Sequence, residues 1–348
     1  PDTPTPLVAQ GTFSVGDVDA GDGLANPVIS ALELSGTSTQ RKPIGLTDAE
    51  WATALRGMLT AGLSLNTVPE GAVAPPAGKI NWSFNAGQQG FDFLAQNQTL
   101  VLTYTLSVQD NSGQPNNTAS QQLVVTITGT NDAPVLTVNA PAAIVDTAGP
   151  DVFTSPITGT LTATDIDAGT STLTFGIDQS TVSEGFAVRT LPLGELRVNT
   201  ATGAYEFRPN APAVNALKPG ATGTTPTATF EVTVSDGSAL VKQPLVFTFT
   251  PANDAPLGPQ TPLSIPVTWG TPLNLSLLGN GPSPQPVFRD ADGDTLVYEL
   301  VSAVYADKGT PKPPAAWLSL NGTSLVGTAA STEQGTVEVT IKATDPSG

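Results

Sequence analysis

The chain has 348 residues, 13 basic and 30 acidic, for a formal charge of −17, and it contains neither cysteine nor histidine. Disulfide frameworks, thiol nucleophiles, Cys/His zinc sites, histidine-ligated haem and Ser-His-Asp triads are therefore excluded. A surface this acidic repels a phosphate backbone, which argues against a nucleic-acid partner.

At roughly 150 residues per domain the length predicts two or three domains. No window approaches the ~18 apolar residues of a membrane span, and no signal-peptide pattern opens the chain. A start at Pro1 leads us to expect a processed chain or a window of something longer. The 34 Gly and 32 Pro, against one Met, favour short strands between turns over long helices.

Taken in chain order, the first clear element is a helix. Thr47-Asp48-Ala49-Glu50 is a capping-box sequence, in which the Thr hydroxyl and the Glu carboxylate satisfy the first free N–H groups. Trp51, Leu55, Met58 and Leu59 follow at helical spacing, so the helix should lie across the edge of a sheet pair. Beyond it the period is two: Ile80–Phe84, Leu100–Val108 and Gln122–Thr128 read as strands. The same pattern returns in Ile157–Thr164, Leu173–Phe175, Ala204–Phe207, Ala228–Val234 and Leu245–Thr250. It returns again in Leu273–Leu277, Leu296–Leu300 and Val337–Ile341.

These strands are punctuated by a repeat. Asn131-Asp132-Ala133-Pro134 recurs 122 residues later as Asn253-Asp254-Ala255-Pro256, each copy between a finished strand and a fresh apolar run. The expectation is an all-β chain of three antiparallel β-sandwiches at 1–133, 134–255 and 256–348, with one short helix in the first.

The aspartates fall in register with that repeat. Thirteen of the twenty occupy three recurring places. One is a cluster after an early strand: Asp17, Asp19 and Asp22; Asp165 and Asp167; Asp290, Asp292 and Asp294. A second is a single acid after the penultimate strand: Asp110, Asp236 and Asp345. The third is the junction, Asp132 and Asp254, beside Asn131 and Asn253.

Strand parity decides whether these meet. In an antiparallel sandwich the loops after the second and sixth strands lie at the pole where the chain enters. Asn131, Asp132, Asp165, Asp167 and Asp236 should therefore converge, and so should Asn253, Asp254, Asp290, Asp292, Asp294 and Asp345. Carboxylates ~6 Å apart repel by about 3 kcal/mol per pair at an effective dielectric near 20. A hard cation relieves this, and Ca²⁺, with about 6–8 oxygen ligands, fits the residue types better than Mg²⁺. An EF-hand is excluded, since Thr295 and Val301 stand where its Gly and Glu would be. Turn preference also favours Asp, and accounts readily for a lone pair such as Asp236-Gly237. It accounts less well for a three-part set repeated in each unit.

The first unit resembles a VCBS repeat of large bacterial surface adhesins. The resemblance is carried by Gly11-Thr-Phe-Ser-Val-Gly-Asp17-Val-Asp19, Asn81-Trp-Ser-Phe84, Phe91-Asp-Phe-Leu94, Leu100-Val-Leu-Thr-Tyr104 and Gly129-Thr-Asn-Asp-Ala-Pro134. The second is similar to the same cadherin-like group through Gly194–Val198, Thr202–Phe207 and Phe230–Gly237, with Thr250-Pro-Ala-Asn253 in place of the usual Gly-Thr-Asn. The third resembles dystroglycan-type cadherin-like domains through Phe288–Asp294, Ala316–Leu320, Leu325–Thr328 and Ala343–Gly348.

The resemblance implies Ig/cadherin-like sandwiches in a calcium-stiffened stalk of an RTX-type or biofilm-associated adhesin. It implies type I secretion to the bacterial cell surface, with neighbouring repeats, host or matrix surfaces, or a second copy as partners. It implies no catalytic residues. Alignment of Gly11–Asp17 with Gly159–Asp165 places Pro1 after the expected first strand and Gly348 before the expected last one. The expected explanation is a window of a giant protein; the alternative is strand donation into a fibre. A carbohydrate-binding tip is a further alternative. Of Trp51, Trp82, Trp269 and Trp317, only Trp269 is placed where exposure is expected. A two-carboxylate glycosidase is not expected.

Overall fold

The structure, a computed structural model, describes residues 6–87, 90–167, 172–220, 225–279 and 286–345. By Cα proximity the chain divides into two compact units. One is Pro1–Leu136 with Ala163–Thr174 and Val234–Val241; the other is Thr137–Thr162, Phe175–Thr233 and Lys242–Gly348. The described residues are all-β apart from two short helices, and their strands form successive pairs of sheets.

The first pair is built from β1 (Val8–Gly16), β2 (Val28–Ser35), β3 (Leu59–Leu65), β4 (Ala77–Asn85), β5 (Thr99–Gln109) and β6 (Thr118–Thr128). They form antiparallel sheets in the orders β1-β4-β3 and β2-β5-β6. Alternation along β5 puts Leu100, Leu102, Tyr104 and Leu106 in the core, where they meet Phe84 and Leu59 from the other sheet. Helix α1 (Asp48–Gly57) begins with the expected capping box: Glu50 N–H donates to Thr47 Oγ1 at 3.2 Å and Thr47 N–H to Glu50 Oε2 at 2.8 Å. It packs against β2 and β3, the edge strands of the two sheets, and buries Trp51 and Leu55 between them. Burial of the tryptophan leaves its N–H paired, to Arg41 O at 2.8 Å.

The helix is shorter than its apolar stripe suggests. Met58 is its C-cap and Leu59 opens β3, because from Leu59 the apolar residues recur at every second position (Leu59, Ala61, Leu63, Leu65).

The second pair comprises β7 (Val135–Thr137), β8 (Ile144–Val145), β9 (Ile157–Thr160), β10 (Thr162–Thr164), β11 (Thr174–Ile177) and β12 (Thr181–Ser183). It continues with β13 (Phe186–Leu191), β14 (Gly194–Asn199), β15 (Ala204–Pro209), β16 (Thr227–Ser235) and β17 (Leu240–Thr250). The main sheets run β11-β16-β17-β8 and β12-β13-β14-β15-β9. Phe207 of β15 stacks on Phe247 of β17 at 3.9 Å between ring centroids, with Phe230 and Phe249 edge-on to it. The expected strand 157–164 is two strands, broken at the buried Leu161: β9 pairs with β15 and β10 with β7. A second helix, α2 (Ala211–Val214), corrects the expectation of one; four residues around Pro212 are too few to show a periodic stripe. β8 pairs with β17 in parallel, where Phe249 faces Ile144 and Thr250 faces Val145.

The third pair holds β18 (Pro272–Ser276), β19 (Val297–Tyr305), β20 (Leu318–Asn321), β21 (Ser324–Thr328) and β22 (Val337–Thr344), in the orders β18-β21-β20 and β19-β22. Its core is small, formed by Leu275, Tyr305, Ala315, Leu318 and Leu325.

The sequence alignment of the first two units has a physical counterpart. Gly11 lies opposite Trp82 and Gly159 opposite Tyr205, and each glycine is covered by the ring it faces. A Cβ on Gly159 would stand 2.4 Å from the Tyr205 ring, which is buried edge-on against Phe247 and cannot yield. Gly159→Ala is therefore expected to destabilise by about 1–3 kcal/mol, as overpacking does. A denaturant midpoint equal to that of the parent chain would contradict it.

Candidate metal centres

The first centre lies within the first compact unit. Asn131 and Asp132 follow β6, Asp165 and Asp167 follow β10, and Asp236 follows β16. Asn131 Nδ2 donates to Asp236 Oδ2 at 2.9 Å and to Asp132 O at 2.8 Å. The Asp132 N–H donates to Asp167 Oδ2 at 2.9 Å, and the Asp167 N–H to Asp165 Oδ1 at 2.9 Å.

The second centre lies within the second unit and repeats three of these four bonds, the acidic loop closing instead from its third aspartate. Asn253 Nδ2 donates to Asp345 Oδ2 at 3.1 Å and to Asp254 O at 3.4 Å. The Asp254 N–H donates to Asp292 Oδ2 at 2.7 Å, while Asp290 Oδ1 accepts from the Asp294 N–H at 3.0 Å. Carboxylate oxygens of Asp290, Asp292 and Asp294 lie within 4.8 Å of one another. All eleven of the residues expected at the two junctions are thus brought together as two sets.

In the remaining set the Asp19 N–H donates to Asp17 Oδ1 at 3.0 Å, and oxygens of Asp17, Asp22 and Asp110 lie within 4.8 Å of one another. Asp19 is exposed and is not part of that cluster.

The networks use one side of each carboxylate and leave others bare. Asp167 Oδ1, both oxygens of Asp254, Asp290 Oδ2 and Asp292 Oδ1 are buried without a hydrogen-bond donor. Asp167, Asp254 and Asp292 are 4 %, 2 % and 5 % exposed, so water does not substitute freely. An unpartnered buried carboxylate is strongly unfavourable. Burial, foremost, raises the pKa of Asp132, Asp167, Asp254 and Asp292, and neighbouring aspartates add to it. Asp236 is the exception. Its pKa is lowered, chiefly by the Ala239 N–H, because Oδ1 accepts from Ser238 and Ala239 at 2.6 Å each as in an ordinary turn.

Two further acids approach the junctions without having been anticipated. Asp92, between β4 and β5, raises the pKa of Asp132 after burial, the leading cause. Asp146 follows β8, and the parallel pairing with β17 sets it beside the second junction: its N–H donates to Thr250 O at 3.0 Å and its Oδ2 accepts from Ala252 N at 3.2 Å. It is 3 % exposed, and its Oδ1 has no donor. Burial, aided by Asp151 and Asp254, pushes it up to about 6. The parity rule contains the missed signal. The same alternation that gathers the second and sixth loops at the entry pole sends the end of the first strand to the exit pole.

A raised folded-state pKa means that the neutral carboxyl favours the fold at low pH and that this contribution is lost as the pH rises through the folded value. For Asp146 the window runs from the ordinary 3.8 to about 6. The lowered carboxylates Asp110 and Asp236 act only below the ordinary carboxyl range. Metal-stripped protein is therefore expected to melt higher at pH 5 than at pH 7, by on the order of 1 kcal/mol. A melting temperature that stays constant or rises from pH 5 to pH 7 would refute this.

The donor set consists of carboxylate, amide and main-chain oxygen, without nitrogen or sulfur ligands, and several of the carboxylate oxygens are buried and bare. That chemistry fits a hard cation of Ca²⁺ type.

No protein-family model matches the chain, and no curated protein sequence does. Among solved structures it is similar to extracellular cadherin domains 1–4 of protocadherin gamma B7, at 13% identity over 94% of this chain and 72% of that one, TM-score 0.34. It is similar to Drosophila N-cadherin EC1–4 at 12% identity over 94% and 66%, TM-score 0.27. An endo-fucoidan hydrolase of glycoside hydrolase family 107 gives 14% identity, TM-score 0.25, over 91% of this chain. The chain spans 37% of that hydrolase.

Proposed function

We propose that the chain is a run of three tandem cadherin-like sandwiches, 1–133, 134–255 and 256–348, in the calcium-stiffened stalk of a large extracellular adhesin. The observation that carries this reading is the Asn-Asp network repeated 122 residues apart with buried, donorless carboxylate oxygens in both copies. A turn motif alone satisfies its own oxygens, as Asp236 Oδ1 does. These leave buried oxygens without a donor.

In this reading each junction asparagine pins the loop after the penultimate strand, and each junction N–H pins the acidic loop. The residues that would hold a cation are Asp132, Asp165 and Asp167 at the first junction. At the second they are Asp254, Asp290, Asp292 and Asp345, with Asp146 on the other side. A bound Ca²⁺ would neutralise the cluster and cross-link the junction to its loops. Asp17, Asp22 and Asp110 form a third such cluster, to which Asp19 contributes its main-chain N–H. The VCBS-like motifs of the first unit support placement on a bacterial surface after type I secretion, in adhesion or biofilm.

Calcium titration of metal-stripped protein in a calorimeter tests the proposal. Saturable heat with a stoichiometry of at least two is expected; no heat, with melting unaffected by chelator, would overturn it.

A further inference from the structure

Lys218 follows α2 in the connection between β15 and β16, and its ammonium lies 2.5 Å from Asp294 Oδ1, both within the second compact unit. The pair joins residues 76 positions apart. The lysine side chain is 44% exposed and the aspartate side chain 18%. Asp294 in turn has an oxygen within 4.8 Å of Asp290 and Asp292. The ammonium is thus set against the whole acidic loop: hydrogen bonding to Asp294 is the leading cause that raises its pKa, and Asp292 and Asp290 add to it.

The first junction carries different residues at each corresponding place. The turn Phe91–Leu94, closed by Leu94 N–H to Phe91 O at 2.9 Å, matches Val214–Leu217, closed by Leu217 N–H to Val214 O at 2.9 Å. On that match Asp92 corresponds to Asn215 and Ala95 to Lys218. Aligning Asp165-Ile-Asp167 with Asp290-Ala-Asp292 sets Gly169 against Asp294. Where the first junction has Asp92, Ala95 and Gly169, the second has Asn215, Lys218 and Asp294. The two opposite charges occur together at this junction and touch, and neither matched position of the first junction is charged.

We propose that Lys218 is a resident cation of the second junction: it holds the acidic loop 290–294 when no divalent ion is bound, and opposes divalent binding when one arrives. The second half rests on the reading of this junction as a calcium site; the first half does not. The junctions then differ in kind. One depends on calcium alone, and the other keeps a covalently tethered monovalent substitute.

The test uses the full chain as parent, Lys218→Gln, Asp294→Asn and the double variant. In chelator, amide hydrogen exchange across residues 286–296 is expected to speed up several-fold in each single variant, and no further in the double. Terbium or calcium titration is expected to show about tenfold tighter binding in one class of sites of Lys218→Gln, the size of one nearby charge acting on a divalent ion through a largely aqueous path. The other class should be unchanged. Exchange that is unaffected by Lys218→Gln would overturn the tether, and unchanged or weaker affinity would overturn the opposition to metal. Absence of calcium binding in every variant would sink the calcium reading instead, and the exchange data would still decide the tether.

Discussion

Removal of divalent ions is expected to lower the main melting transitions by on the order of 10 °C, and added calcium to restore them. A ligand present at a hundredfold excess over its Kd contributes about 2.7 kcal/mol per site. For a sandwich of about 100 residues each kcal/mol moves the melting temperature by roughly 4–8 °C. The reason for so large a response lies in the atoms left bare. In the second centre both oxygens of Asp254, one of Asp290 and one of Asp292 are buried without a donor, and in the first Asp167 Oδ1 is. With like charges around them, these groups hold the metal-free loops under repulsion. Differential scanning calorimetry in chelator and in millimolar calcium measures the effect. The transitions belong to several cooperative units, so they are compared one by one. Magnesium should restore less, because it keeps its waters and demands a tighter octahedron. Superimposable thermograms with and without chelator would leave the acid clusters as turns and no more.

Most of the strand pattern was legible because one face of each strand is buried. Leu100, Leu102, Tyr104 and Leu106 announce β5 by alternation alone, and Thr47 with Glu50 announces the start of α1. The helix end was not, because Met58 and Leu59 satisfy the helical and the strand period at once, and only the continuation through Ala61 and Leu63 decides between them. Leu161 hides a change of sheet, since its flanking residues alternate without a break while their hydrogen-bond partners switch. At the two acidic junctions the entry-pole residues were legible because they recur in fixed order around an Asn-Asp marker. Asp146 and Asp92 carry no such marker. They reach the junctions only through pairing and loop placement, above all the parallel contact of β8 with β17. The Lys218–Asp294 pair spans two sequence units and has no counterpart at the first junction to draw attention to it.

Asp254→Asn is expected to change sign with calcium, which separates a ligand from a turn residue. In chelator the substitution removes a buried charge whose pKa is raised by burial and then by Asp292, Asp151 and Asp290. No donor is lost, because neither carboxylate oxygen has one, and the main-chain bond from Asp254 N to Asp292 Oδ2 remains. The variant should therefore be more stable than the parent without metal, by on the order of 1 kcal/mol. In calcium it should be less stable, since a neutral amide replaces a charged oxygen ligand and the second junction loses most of its affinity. Asp236→Asn provides the contrast. There Oδ1 accepts two main-chain N–H groups at 2.6 Å, so the substitution weakens charge-assisted bonds and should destabilise under both conditions. Parallel melts of the two variants in chelator and in calcium give four comparisons with the parent chain, and the ligand reading requires one gain and three losses. Asp254→Asn losing stability in both solutions would place its carboxylate among the structural turns.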